Sequence, residues 1–340
     1  MNIRHYPHHK LRLFVSAMLL SCSTVAAQAS ELQLRFAWYM PPHTATAEQA
    51  ELIAKNIKTL SHGQIDVQTY PSGSLFKASN IAKGIMNNTT NMGINALHWW
   101  SKYEPAFEFD TIPFLVPDAK SLLANLHGKL GQDINTILEK HGVRIIAWGF
   151  YGYAKSYINN HHAIIKPSDL KGLRIRSEGK LSALFLQSQG ATPVAIDSSE
   201  VYTAIQRGAL DGGVSGLSTI VSRKWYEVGK YVSAIHYVPL IYPVQVNLHW
   251  WNGLTPQQRS IISKAAQSSE KSAIQSIEHE YTQDIQTLKQ AGNHVSVLKG
   301  AALKPWMATA GTLDRKNYLK ETGATGKMLL QDINPSSIHG

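Results

Sequence analysis

The sequence predicts an α/β protein folded as two lobes. Segments with strand alternation are separated by segments with helical spacing, the order that gives a parallel sheet covered by helices. Two such sets follow one another along 340 residues, enough chain for two compact bodies. No internal repeat or low-complexity linker divides the sets, so strands crossing between the lobes are expected instead of a tether.

The elements follow in order. Leu32, Leu34 and Phe36 alternate with Gln33 and Arg35, the period of a half-buried strand. Pro41-Pro42 breaks it. Ala50, Ile53, Ala54, Ile57 and Leu60 fall at helical spacing, and Gly63 is placed to end that helix. Ile65, Val67 and Thr69 alternate again, and residues 70–75 read as a turn. A helical segment then reaches Gly84-Ile85, and residues 91–96 are expected as a third strand. Ligands of such sheets sit outside the carboxyl ends of the strands. That rule puts Trp38, Tyr39 and residues 95–100, with Asn95 and Trp99, near any site. Residues 143–150 are a further apolar strand candidate.

In the second set Leu173 and Ile175 face one way and Arg174 and Arg176 the other. Leu181, Leu184 and Phe185 form a helical stripe closed at Gly190. Residues 194–196 are a short strand. Asp197 with Glu200 fits a capping box for a helix carrying Val201, Ala204 and Ile205 and ending at Gly208. Leu254-Thr255-Pro256 opens a long helix through Ile262, Ala266, Ala273, Ile277, Tyr281, Ile285 and Leu288, stopped by residues 291–293. A helix of that length is expected to brace both lobes.

The first 27 residues carry Arg4, Lys10 and Arg12, an apolar run from Leu13 to Leu20, and small residues ending Val25-Ala26-Ala27. This is the order of a secretory signal peptide, and the run is shorter than the roughly 20 residues of a membrane span. Cleavage after Ala27 or Ala29 is expected, with a periplasmic location. The alternative is lipid attachment at Cys22, since residues 19–22 faintly resemble a lipobox. Cys22 is the only cysteine, so a chain cleaved after it has neither disulfides nor thiol chemistry.

The net charge is +10, and setting aside the three basic residues of the leader leaves +7. A basic surface steers anions. No cluster of Lys and Arg with interleaved aromatics is present, so nucleic acid is not an expected partner. His161-His162 are adjacent and lack the i, i+4 spacing that puts two imidazoles on one helix face. No metal site or cofactor is expected. The chain also has no G-x-S-x-G, H-E-x-x-H, P-loop or Rossmann glycine set, and an enzyme is only the remote alternative.

The middle of the chain is the most specific region. It reads Lys171-Gly172-Leu173-Arg174-Ile175-Arg176, then Ser199-Glu200-Val201-Tyr202, Asp211-Gly212, and Trp225-Tyr226-Glu227-Val228-Gly229. Tyr70-Pro71-Ser72-Gly73-Ser74-Leu75, Ile112-Pro113-Phe114-Leu115 and Trp251-Asn252-Gly253-Leu254-Thr255-Pro256 add to it. In this order the segments resemble the substrate-binding proteins of tripartite ATP-independent periplasmic (TRAP) transporters, the DctP-like family. The resemblance spans most of residues 31–335. It implies a two-lobed periplasmic-binding-protein-like fold, with a ligand cleft between the lobes and a long helix shared by both. Lobe I is expected from residues 30–153 with 242–281, and lobe II from 154–241 with 282–335.

The resemblance also implies a function. The chain would be a monomeric extracytoplasmic receptor, not an enzyme, that captures a small organic anion and delivers it to the TRAP membrane permease subunits. A periplasmic sensor presenting the bound state to a signalling partner is the alternative. The family's ligand arginine maps to Arg176, whose planar fork suits a carboxylate. Lys155 lies close to the position of a second family arginine. Ser215 stands where many members place a ligand-contacting Asn. Val214 replaces an acidic residue through which some members bind a cation, which argues against a metal-bridged ligand. Trp38, Tyr39, His98, Trp99, Trp100 and Tyr103 suggest an aromatic first-lobe wall. They favour a monocarboxylate with an apolar or aromatic body.

Overall fold

The computed structural model describes Met1 and residues 32–333 except 117, 154, 236 and 238. The signal-peptide reading of residues 1–27, Cys22 and the cleavage positions lie outside the described residues. Thirteen strands occur among those described. They are β1 (Leu32–Trp38), β2 (Ile65–Tyr70), β3 (Met92–Ile94), β4 (Val143–Ala147), β5 (Phe150–Tyr153), β6 (Ser156–Asn159) and β7 (Arg174–Ser177). They continue with β8 (Thr192–Ala195), β9 (Gly212–Ser215), β10 (Tyr231–Ile235), β11 (Pro239–Ile241), β12 (Val244–Asn247) and β13 (His294–Leu298).

Two sheets result. The first has the order β2-β1-β3-β12-β4, and the second β13-β10-β6-β9-β7-β8. In the first, β1 runs parallel to β2 and β3, while β12 is antiparallel to β3 and β4. In the second, β7 is parallel to β8 and β9, and β6 is antiparallel to β9 and β10. Each sheet is covered by its own apolar helices. Ala50, Ile53 and Ile57 of the helix Ala45–Leu60 lie on one core with Leu34 and Phe36. Phe185 and Leu186 of the helix Lys180–Ser188 lie on another with Ile175 and Val214.

The two sheets share two crossovers. The chain passes from β4 through β5 to β6, and returns from β10 through β11 to β12. β5 and β11 pair antiparallel with each other, Tyr151 opposite Leu240 and Phe150 opposite Ile241. These are the crossing strands expected from the absence of a linker. Gly149 enters this ribbon where a Cβ would stand 2.2 Å from the Gln49 Oε1 and 2.9 Å from the Tyr242 carbonyl. Only glycine fits so close a backbone approach.

Two local expectations are corrected. The long C-terminal helix is two helices, Pro256–Gln267 and Glu270–Gln290. Ser268 and Ser269 separate them, their hydroxyls donating to the Ala265 and Ala266 carbonyls at 2.9 and 2.6 Å. Gln49 donates to Ser269 at 3.0 Å. Such back-bonding competes with the helical ladder, and apolar spacing alone does not reveal it. The 21-residue second helix packs on the helix Ala45–Leu60 and β5, and on the helix Leu217–Ser222 and β13. Secondly, the helix Val201–Gln206 has no side-chain cap bond. Glu200 instead reaches Lys77 at 3.1 Å, so the Asp197–Glu200 box does not form.

The long helix carries buried acids. Asp284 and Glu280, with Ser218 and Ser222, line a cavity of about 420 Å³ whose rim includes Glu48, His43 and His279. Burial pushes Asp284 up to about 7. Burial, helped by the Asp284 charge, pushes Glu280 up to about 8. Between about pH 4 and 8 the folded chain therefore holds protons that the unfolded chain has released, so stability falls as pH rises through that window. The loss is expected to be on the order of 5 kcal/mol between pH 5 and 8. Thermal melts of the wild type should drop by roughly 10 °C over this range, and melts of Asp284→Asn should drop by less.

Candidate functional site

A narrow cavity lies between the two sheets, and most of its walls come from strand ends. Tyr39 directly follows β1, and Trp99 lies in the 3-10 turn Leu97–Lys102 just past β3. From the other sheet come Arg176 near the end of β7, Glu178 directly after it, and Ser215 ending β9. The crossover ribbon adds Tyr151 from β5 and Leu240 and Tyr242 from and after β11. The strand ends of both sheets thus meet at one place, as the carboxyl-end rule requires. The cavity volume is about 30 Å³, room for about one water molecule. The walls are closed, and a ligand needs them to part.

Arg176 is the central charge. It is 4% exposed, and burial lowers its pKa from the usual arginine range, with Glu178 opposing. Nε donates to the Ile196 carbonyl at 3.2 Å and Nη1 to the Val214 carbonyl at 2.9 Å. Its guanidinium lies 6.0 Å from the Trp225 ring centre, within cation–π range. Two backbone carbonyls therefore aim a desolvated cation whose fork has further N–H groups to give. The nearest acidic atom is Glu178 Oε1, 4.0 Å from Nη1. A second cation, Arg223, is half-buried on the same wall and donates to the Tyr39 carbonyl at 3.4 Å.

Three tyrosines form the opposite wall. The Tyr39 and Tyr242 hydroxyls are 2.6 Å apart, and the Tyr151 hydroxyl accepts from Thr219 at 3.2 Å. Burial pushes Tyr39 up to about 12 and raises Tyr151 and Tyr242 as well. All three stay neutral donors at ordinary pH. Beside them His98 sits 3.7 Å from Asp110. Burial lowers the His98 pKa, but the Asp110 carboxylate outweighs it and the net shift is upward.

The sequence-derived candidates divide. Arg176, Ser215, Tyr39 and Trp99 stand together on the cavity wall. Lys155 does not. It is 1% exposed and pairs with Asp314 at 3.1 Å, under the Tyr237 ring, so its charge is already matched away from the cavity. Trp38 is turned into the core against Phe36, ring centres 5.1 Å apart, because the last residue of β1 points opposite to Tyr39. Asn95 is fully buried behind the wall, its carbonyl accepting from Gln245 at 3.3 Å. Trp100 is likewise core, bonded to Gln245, and Tyr103 is on the surface. Arg174 turns away and grips Asp211 at 2.7 and 3.0 Å.

Glu178, Arg223, Tyr151, Tyr242 and Thr219 escaped the sequence reading. Glu178, two residues beyond Arg176, carried the one available signal, since it follows the strand whose end was expected at the site. Among the described residues no three His, Cys, Asp or Glu converge as a metal-ligand set. No helix among them is long and apolar enough to cross a membrane.

Comparison with known proteins agrees with this geometry. The 2,3-diketo-L-gulonate-binding periplasmic protein YiaO of Escherichia coli is 25% identical over 317 residues, covering 91% of this chain and 93% of its own. The C4-dicarboxylate-binding periplasmic protein DctP of Rhodobacter capsulatus is 27% identical over 288 residues, covering 83% and 85%. A TRAP periplasmic solute binding protein from Ralstonia eutropha H16, solved with bound (S)-2-acetolactate, has a TM-score of 0.78 at 25% identity, over 88% of this chain and 98% of that one. The family model for bacterial extracellular solute-binding protein family 7 (DctP) matches residues 36–321. The lobed architecture, the cleft at the strand ends and this match together make the chain a member of the DctP family of extracellular solute-binding proteins.

Proposed function

We propose that the chain is the receptor of a TRAP-type transporter, binding a small organic anion outside the inner membrane and delivering it to the permease. One observation carries the ligand class: Arg176, almost fully buried, is held by two carbonyls with its fork towards the cavity. A desolvated guanidinium needs an anion, and a carboxylate matches its fork in two parallel hydrogen bonds. The named relatives bind organic acids, which supports the same class. Tyr39, Trp99, Tyr151 and Tyr242 suit an apolar or aromatic ligand body.

The mechanism is a shift of population. The lobes, residues 30–153 with 242–281 and 154–241 with 282–335, open about the β5–β11 ribbon. Ligand favours the closed form because only then do both lobes touch it. Residues 1–27 direct export. The protein meets the permease with its cleft closed.

A thermal-shift screen of the exported chain against organic acids tests this. A ligand at 1,000 times its Kd adds about 4 kcal/mol, which is roughly 8 °C for a chain of this size. A shift that disappears in Arg176→Ala supports the reading. A shift that survives moves the site elsewhere.

A further inference from the structure

The cavity around Arg176 adjoins a second chamber of about 340 Å³. His98, Trp99 and Glu178 belong to the walls of both. The second chamber has an apolar side made by Pro105 and Leu181 with Trp99. Its other acids are already engaged: Glu321 pairs with Lys180 at 2.6 Å, and Glu108 accepts from the Lys180 and Leu181 amides at 3.2 and 3.3 Å.

Glu178 is not so engaged. Its side chain is 7% exposed. Its Oε2 is buried and has no hydrogen-bond partner, and its Oε1 comes only within 4.0 Å of Arg176. A carboxylate left this way costs free energy unless a donor reaches it. Nothing else converges there as a metal-ligand set among the described residues. The donor therefore belongs to the ligand, or to water that the ligand replaces.

The spacing limits which ligand. A carboxylate bound to the Arg176 fork lies beside a Glu178 oxygen only 4.0 Å from Nη1. A donor on the carbon next to the carboxyl group is close enough to use both. Charge limits it further. Arg176 and Arg223 bring two positive charges to the wall and Glu178 one negative, while His98 is matched by Asp110 behind it. One ligand negative charge balances the site. A dianion overshoots and a zwitterion leaves a positive charge unmatched, and either imbalance is costly in a closed cavity.

On the reading above that Arg176 takes a carboxylate, we propose that the ligand is a 2-hydroxy monocarboxylate. Its carboxylate sits on Arg176, its 2-hydroxyl donates to Glu178, and its side chain passes Trp99 into the second chamber. Glu178 is then the residue that sets specificity.

The test is a set of acids sharing one skeleton, titrated calorimetrically with chelator present. The wild type is offered 3-phenyllactate, 3-phenylpropionate, phenylalanine and benzylmalonate. A matched set with an isobutyl side chain, and lactate, which has almost no side chain, complete the series. In at least one skeleton the 2-hydroxy acid should bind about tenfold or more tightly than its 2-deoxy, 2-amino and 2-carboxy analogues, the strength of a hydrogen bond to a charged group. It should also bind more tightly than lactate. Glu178→Gln removes the negative charge, so the 2-carboxy analogue should gain about tenfold relative to the 2-hydroxy acid. Equal binding of 2-deoxy and 2-hydroxy acids, preference for the dicarboxylate or for lactate, binding lost with chelator, or unchanged ratios in Glu178→Gln would overturn the proposal. Those results leave the receptor reading intact as long as Arg176→Ala abolishes binding. If no acid binds the folded wild type, the carboxylate reading itself fails, and this proposal with it.

Discussion

Arg176→Ala is expected to all but abolish binding of every carboxylate, a loss of about thirtyfold to several thousandfold. The reason lies in what the change leaves behind. Removing one partner of a buried charge pair typically costs about 2–5 kcal/mol, because the remaining charge stays desolvated and unpaired. The ligand carboxylate would face the three tyrosine hydroxyls and Arg223 alone. Arg176→Lys should recover only part of the loss, since an ammonium is a point charge without the fork. The fold should tolerate both changes. Arg176 bonds to two backbone carbonyls, and its nearest acid is 4.0 Å away. Titration calorimetry gives the affinity, and a melt of the unliganded variants gives the control.

Lys155→Ala should do the reverse, lowering stability with little direct effect on the ligand. Lys155 and Asp314 are 3.1 Å apart with side chains 1% and 0% exposed. Burial already raises the Asp314 pKa against the pull of Lys155. Breaking such a pair from one side costs about 3–5 kcal/mol, or roughly 6–10 °C in a chain of this size. Replacing both partners together, Lys155→Met with Asp314→Leu, should recover most of that melting temperature, because no lone charge then remains inside. A Lys155→Ala protein that melts normally but binds no acid would return Lys155 to the ligand site.

These two lysine and arginine positions show what was legible beforehand. Arg176 could be found because its strand, its motif and the carboxyl-end rule agree on one place. Lys155 lies close to the position of a second family arginine, but its partner lies 159 residues further on, and no local pattern announces so distant a pairing. Trp38 and Tyr39 share one strand end, but neighbours there point to opposite sides. The strand–helix order of both lobes was readable because alternation and helical spacing are local properties. Tyr151 and Tyr242 were not, since they meet only through the pairing of β5 with β11. Glu178 and Arg223 look in sequence like any surface charges, and only burial distinguishes them. The break at Ser268-Ser269 was hidden because apolar spacing carries through it.

The β5–β11 ribbon is both the only paired strand connection between the sheets among the described residues and the source of Tyr151 and Tyr242 in the cavity wall. On the mechanism proposed above, the parts that touch the ligand are then also the parts that bend. A substitution there cannot adjust fit alone, because it also resets how often the empty protein stands open, and apparent affinity scales with that fraction. Anyone redesigning this receptor for a new acid should leave the tyrosines in place. Changes at Trp99 or Glu178, which lie outside the ribbon, retune recognition while keeping the resting balance between shapes that a permease has to read.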